Sequence, residues 1–150
     1  MIRRAVAQDE AAIRDCVEQA YTPYVPRIGR RPAPMDADFA ALIAAGDVHV
    51  ATDAGGRLEG VIIFRAEDRH VLLENVAVLP RAAGRGVGKA LIGFCERTAW
   101  ERGLRTVRLY TNAKMTENLA IYPKLGYREI GRRTEDGFDR VYFEKALAAP

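Results

Sequence analysis

The stretch Val71-Leu-Leu-Glu-Asn-Val-Ala-Val-Leu-Pro-Arg-Ala-Ala-Gly-Arg-Gly-Val-Gly-Lys-Ala-Leu-Ile92 decides the reading of this chain. Its first part, Val71 to Leu79, is rich in β-branched and aliphatic residues and reads as a buried strand that Pro80 ends. Gly84, Gly86 and Gly88 then alternate with Arg85 and Val87, and Val87, Leu91, Phe94, Cys95 and Thr98 follow at helical spacing. Glycines let the backbone turn sharply and approach a ligand closely. They also leave main-chain N–H groups open at a helix N-terminus, where the dipole favours anions. Arg85 and Lys89 add positive charge, so the loop is built to hold phosphates.

Two kinds of phosphate loop do not fit. A Walker loop needs four residues before Gly-Lys and then Ser or Thr for magnesium, but three residues separate Gly84 from Gly88-Lys89, and Ala90 follows. A dinucleotide fingerprint needs a further glycine where Lys89 stands, and an acidic residue at a strand end near position 110, where there is none.

Working outward, 150 residues make one domain, 1–150, by size. Apolar content of 49% and charged content of 29% are ordinary for a globule with a full core. A net charge of +3 with dispersed arginines argues against a nucleic-acid partner. Cys16 and Cys95 each fall on the apolar stripe of a helix and read as buried thiols rather than a disulfide or metal pair. His49 and His70 lack ligand spacing, and no metal is expected. No stretch reaches the ~18 apolar residues of a membrane span. Met-Ile-Arg-Arg at the N-terminus reads as a strand rather than a signal peptide, so the expectation is a cytoplasmic protein with no membrane partner.

In chain order, Ile2 to Ala7 is the first strand. Asp9 caps a helix to about Ala20, with Ile13, Cys16, Val17 and Ala20 on one face. Four prolines and a glycine exclude a long regular element from Tyr21 to Met35. Asp36 caps a helix through Ala45, with Gly46 as its stop. Val48 to Thr52 and Leu58 to Arg65 form a hairpin around Ala54-Gly55-Gly56, and the opening stretch supplies the fourth strand. The helix from Val87 ends near Arg102, before Gly103. Leu104 to Thr111 is the fifth strand, parallel and adjacent to the fourth because a helix connects them. Thr116 caps a helix that Gly126 stops. Tyr127 to Thr134 and Phe138 to Glu144 close the chain as a hairpin.

Two motifs carry a resemblance. Val78, Pro80, Gly86, Gly88 and Leu91 match the pyrophosphate loop of the GNAT N-acetyltransferases; Ala83 stands where that family usually has Arg or Gln. Asn118, Tyr122 and Gly126-Tyr127 resemble the family's second signature, with Asn118 and Tyr122 one helical turn apart on one face. Pro123 departs from the pattern and should distort the turn after Tyr122. The resemblance implies an α/β fold of GNAT type: a mixed sheet of about seven strands flanked by about four helices, with strands 4 and 5 splayed to admit the acetyl-pantetheine arm.

What the resemblance implies for chemistry is acetyl transfer from acetyl-CoA to a primary amine by direct attack in a ternary complex. Val76, Ala77 and Val78 would bind the arm through main-chain groups, and Ala83, Gly84, Arg85, Gly86, Val87, Gly88 and Lys89 the pyrophosphate. Asn118 would hydrogen-bond the arm, and Tyr122 would protonate the leaving thiolate. Its phenol, with an ordinary pKa of about 10, suits that role. Asn112 either contacts substrate or cofactor or caps a turn. Glu74, in an otherwise apolar strand, is the first candidate base, either in that role or as a structural partner, followed by His70 and Tyr110. Tyr24 and Arg27 are substrate candidates. Together with Tyr21, Arg30 and Arg31 they would suit a carboxylate-bearing amine, though a peptide amine, a polyamine or an antibiotic fits the family equally. The alternative function is a catalytically weak acetyl-CoA-binding regulatory module. A homodimer through the C-terminal strands is a state the family offers.

Overall fold

The computed structural model describes residues 1–149. Seven strands form one mixed sheet in the order β1-β2-β3-β4-β5-β7-β6. Their ranges are β1 Ile2–Arg4, β2 Val48–Thr52, β3 Leu58–Ala66, β4 Val71–Val78, β5 Thr106–Asn112, β6 Arg128–Glu135 and β7 Phe138–Ala146. The helices are α1 Glu10–Tyr21, α2 Val25–Ile28, α3 Phe39–Ala45, α4 Val87–Glu101 and α5 Thr116–Lys124. The chain divides into two units, Met1–Phe64 with Glu74–Cys95, and Arg65–Leu73 with the chain from Glu96 on.

In the first unit β1, β2 and β3 form an antiparallel meander, with Arg3 opposite Val50 and Val50 opposite Val61. α1 buries Ile13, Cys16, Val17 and Tyr21, the stripe that helical spacing selects. α3 buries Phe39 and Ile43. Val48, Val50, Val61 and Ile63 are buried beside them in the sheet. At Gly60 the start of α4 lies close against β3. A Cβ there would lie 3.0 Å from the Ala77 carbonyl oxygen and 3.1 Å from both Leu91 Cδ1 and Val87 Cγ1. The absent side chain therefore sets how near the start of α4 packs.

In the second unit β4 pairs in parallel with β5 over Val71↔Val107, Leu72↔Arg108 and Leu73↔Leu109, the first three residues of an eight-residue strand. β5 pairs antiparallel with β7, and β7 with β6. The β6–β7 turn is Asp136-Gly137, both at positive φ (52° and 79°), the two-residue geometry that matches strand twist. Val107, Leu109, Val141, Phe143, Tyr122 and Tyr127 are buried.

Several boundaries differ from the sequence reading, each for a local reason. The Asp9 carboxylate does not cap α1. It accepts the Val6 N–H at 2.8 Å and two hydrogen bonds from Arg3, closing a 3-10 turn that precedes the helix. Asp38, not Asp36, caps α3 by accepting from Ala41 N at 3.1 Å, because Asp36 ends a 3-10 turn and meets Arg31. β5 starts at Thr106 rather than Leu104, whose N–H still bonds the Ala99 carbonyl in the α4 C-terminal turn. Thr116 begins α5 without capping it. Pro123 lies inside α5, which runs on to Lys124 and closes just after the proline, with the Tyr122 carbonyl accepting from Leu125 N and Tyr127 N.

Candidate active site

The first unit carries the glycine loop. Leu79 follows β4 with its N–H on the Glu59 carbonyl, and Pro80–Ala82 make a 3-10 turn. Gly84 and Gly86 then sit at φ 78° and 79°, a left-handed backbone that side chains resist. The first rung of α4 is Ala90 N–H to the Gly86 carbonyl at 2.9 Å. The N–H groups of Val87, Gly88 and Lys89 therefore stand outside the helical ladder, as the first turn of any helix leaves them. Residues 83–86 and Lys89 are exposed. Arg85 is ion-paired with Glu59, which is largely buried. Lys89 thus carries the positive charge of the loop that no carboxylate among the described residues neutralises.

Glu74, Val76 and Val78 are half-buried on β4, while Asn75 and Ala77 are buried. Asn75 was not evident as a site residue. It is one of few buried polar side chains, 5% exposed, and its Oδ1 accepts the Tyr21 hydroxyl at 2.7 Å. Its Nδ2 is buried with no partner among the described residues. The signal for it in the sequence was a polar residue inside an aliphatic strand, but Glu74 beside it drew the same attention. Tyr24 carries the Arg27 guanidinium 5.2 Å from its ring centroid. Arg31 is not available to a substrate carboxylate in this geometry: it pairs with Glu18 and Asp36 at 2.9 and 3.1 Å. The Cys16 thiol packs on the Ala77 carbonyl, and burial pushes its pKa up to about 12, so it is an inert core thiol.

The second unit brings together Asn112, Asn118 and Tyr122. Asn112 Oδ1 accepts the Lys114 N–H at 2.9 Å, so Asn112 caps the turn after β5. Asn118 Nδ2 donates to Thr111 Oγ1 at 3.1 Å, which fixes the amide and turns its oxygen the other way. Thr111 is the residue that the sequence reading missed here. It continues the buried Val107-Leu109 phase of β5, and only the arrival of α5 gives its hydroxyl a task. Tyr122 is 6% exposed, its ring 5.8 Å from both Tyr127 and Phe143. Tyr127 is itself anchored: its hydroxyl donates to Glu96 at 2.8 Å, and Lys145 holds the other carboxylate oxygen at 2.9 Å. Burial raises the Tyr122 phenol to about 12, and its hydroxyl has no hydrogen-bond partner among the described residues. His70 and Tyr110 also belong to this unit, Glu74 to the first.

Among the described residues no group of three or more His, Cys, Asp or Glu side chains is placed to hold a metal ion. No helix among them is long and apolar enough to cross a membrane.

With this geometry in view, the family model for the acetyltransferase (GNAT) domain matches residues 44–129, which contain the loop, α4, β5 and α5. The chain belongs to the GNAT acetyltransferase family. The mycothiol acetyltransferase of Pseudarthrobacter chlorophenolicus is 36% identical to it over 84 residues. That match covers 52% of this chain and 26% of the relative, so the GNAT chain described here corresponds to about a quarter of that protein's length. Two solved structures share the fold along nearly the whole chain. Ard1 from Thermoplasma volcanium superposes with a TM-score of 0.80 at 19% identity, covering 99% of this chain and 98% of its own. The PaiA N-acetyltransferase of Thermoplasma acidophilum, solved in complex with coenzyme A, gives 0.79 at 18% identity, covering 98% of each. The seven-stranded mixed sheet with β4 and β5 parallel is the GNAT fold that the two motifs implied.

Proposed function

We propose that this GNAT chain transfers the acetyl group of acetyl-CoA to a primary amine, with residues 1–150 acting as one acetyltransferase domain. The observation that carries the reading is the turn before α4. Gly84 and Gly86 are left-handed with open space where their side chains would be, and three first-turn N–H groups follow them, an arrangement that supports pyrophosphate binding. Acetyl-CoA supplies an acetyl group activated as a thioester.

The other tasks fall to this chain's residues. The N–H groups from Gly84 to Lys89 hold the pyrophosphate, with Ala83 at the loop's entry. Main-chain groups of Val76, Ala77 and Val78 and the oxygen of Asn118 bind the arm. A β4 main-chain N–H near Val76 donates to the carbonyl oxygen as negative charge builds there. Glu74 takes a proton from the incoming ammonium, directly or through water, since an ammonium has no lone pair to attack with. As the new C–N bond forms and the C–S bond breaks, the Tyr122 hydroxyl gives its proton to the departing sulfur, while the nitrogen sheds its surplus proton to solvent, from which the phenolate is reprotonated. A phenol raised to about 12 remains protonated at every pH where the reaction would run, which supports this role over that of a base. Tyr24, Arg27 and Asn112 are the acceptor contacts in this reading.

The test is release of coenzyme A thiol from acetyl-CoA across a panel of amines, with wild type beside Tyr122→Phe. Acceptor-dependent release that falls strongly in the variant is the expected result. Release with equal rates in both would remove Tyr122 from the mechanism. Coenzyme A binding with no release from any amine would favour the regulatory module.

A further inference from the structure

One face of the second unit's sheet carries two arginines, Arg133 and Arg140, that the reaction above does not use. Arg133 on β6 lies directly opposite Arg140 on β7, and Tyr142 on β7 lies opposite Tyr110 on β5. Like charges facing each other across a ladder repel, so this pairing needs an explanation. Each guanidinium rests on an aromatic face. Arg140 is 4.6 Å from the centroid of Tyr110 and 5.7 Å from that of Phe138, and Arg133 is 5.0 Å from that of Tyr142. The two tyrosine rings are 5.4 Å apart. This cage aims the arginines without neutralising them.

Their charge is only partly compensated. Arg140, its side chain 13% exposed, reaches Glu135 at 3.9 Å, and Glu135 also accepts the Tyr142 hydroxyl. Arg133 has no ion pair or hydrogen bond among the described residues. Asn112 is the register partner of Arg140. Its oxygen is spent on Lys114 N–H, and its Nδ2 has no partner among the described residues. A cavity of about 310 Å³ adjoins the two arginines, lined by Ala113, next in sequence to Asn112, and by Arg132, Arg133, Thr134, Asp139 and Arg140. Arg132 is tied to Glu129 by two bonds, and Asp139 accepts the Thr134 hydroxyl.

We propose that Arg133, Arg140 and Asn112 form a binding site for an oxyanion group, a carboxylate or a phosphate ester, carried by the acceptor. A guanidinium fork matches the planar spread of oxygens on either group, and an amide N–H adds a neutral donor beside it. The site lies at the carboxyl end of β5, the end at which parallel strand pairs receive their ligands. An anion between Arg133 and Arg140 converts their repulsion into a bridge. The assignment to the acceptor rests on the acetyl-transfer reading, whereas the anion site itself does not.

The test follows the Arg Nε–H and Asn side-chain amide resonances of the full chain during titration with succinate, with inorganic phosphate, and with sodium chloride at matched ionic strength. Saturable shifts at Arg133, Arg140 and Asn112 with succinate or phosphate, absent with chloride, are expected. Arg133→Gln should weaken that binding about tenfold and Arg133→Lys less, since the charge stays and the fork is lost. The stronger of the two anions identifies the acceptor's group. In the acetyl-transfer assay, the preference for an amino acid over its carboxamide, or for a phosphate-bearing amine over its alcohol, should fall about tenfold in Arg133→Gln. Shifts that stay linear, match those with chloride, or survive Arg133→Gln would overturn the proposal even if acetyl transfer is found. Saturable binding in a protein that turns over no amine would uphold the anion site and defeat only the acetyl-transfer reading.

Discussion

The Tyr21 hydroxyl at the end of α1 donates to Asn75 Oδ1 at 2.7 Å inside the first unit, joining the helix to β4 beside Glu74. One hydroxyl cannot satisfy both ends of an amide, and Asn75 Nδ2 is left without a partner among the described residues. Tyr21→Phe would leave the oxygen unmet as well, at a cost of about 1–3 kcal/mol. Replacing both partners in Tyr21→Phe with Asn75→Leu should cost less than Tyr21→Phe alone, because no buried polar group remains. Urea unfolding of the single and double variants measures this, and a double variant less stable than the single one would contradict it.

Tyr122→Phe separates chemistry from architecture. The ring contacts with Tyr127 and Phe143 are kept and the hydroxyl has no partner among the described residues, so stability should change by no more than about 0.5 kcal/mol. The rate of acetyl transfer should fall by roughly 10²–10⁴ if the phenol is the acid. A variant that loses stability and rate together would point to packing instead.

The same phenol gives a pH signature. Its pKa is raised to about 12 by burial, against about 10 in the unfolded chain. Between those values the folded state holds a proton that the unfolded state has lost. The stability from this proton is whole below pH about 10 and declines as pH rises toward about 12. Tyr142 is raised as well, by burial and its hydrogen bond to Glu135, so absorbance of the phenolate should show late-titrating tyrosines, and Tyr122→Phe should remove one of those steps. Asp9 behaves oppositely. The two Arg3 hydrogen bonds, then the Val6 N–H and the Arg3 charge, hold its carboxyl below the usual range. Its contribution is present above pH about 4 and is lost as pH falls further. Asp9→Asn should abolish that part of the acid sensitivity, at a cost of about 1 kcal/mol near neutrality.

Glycines at two places should fail differently. In Gly60→Ala the new methyl meets the Ala77 carbonyl, Leu91 and Val87, so the fold should lose about 1–3 kcal/mol. Gly84→Ala and Gly86→Ala enter open space but keep a left-handed backbone, at about 1–2 kcal/mol each. If the loop binds pyrophosphate, these two variants should weaken coenzyme A binding well beyond their loss of stability. Calorimetric titration with coenzyme A beside thermal melts decides it, and unchanged affinity in both loop variants would remove the loop from the binding site.

The sequence by itself determined the order and kind of the principal elements. Alternation and helical spacing are local properties, and burial of the stripe Ile13, Cys16, Val17 followed them directly. The glycine loop was legible for the same reason: a left-handed turn needs glycine whatever surrounds it. The two motifs carried the family with them.

Other features were decided only in three dimensions. Whether Asp36 or Asp38 caps α3 depended on Arg31, which binds Asp36 and Glu18 from a different segment. Pro123 stays inside α5, one residue before its end, where it forgoes only the N–H that would have met the Leu119 carbonyl. Arg85 offers its charge to a phosphate in the sequence, but in the fold Glu59, 26 residues away, is paired with it. Thr111, Asn75 and the Arg133–Arg140 pair gained meaning only from register and long-range partners. Backbone conformation is written in neighbours along the chain. The charge a side chain still has to offer depends on what folding sets against it.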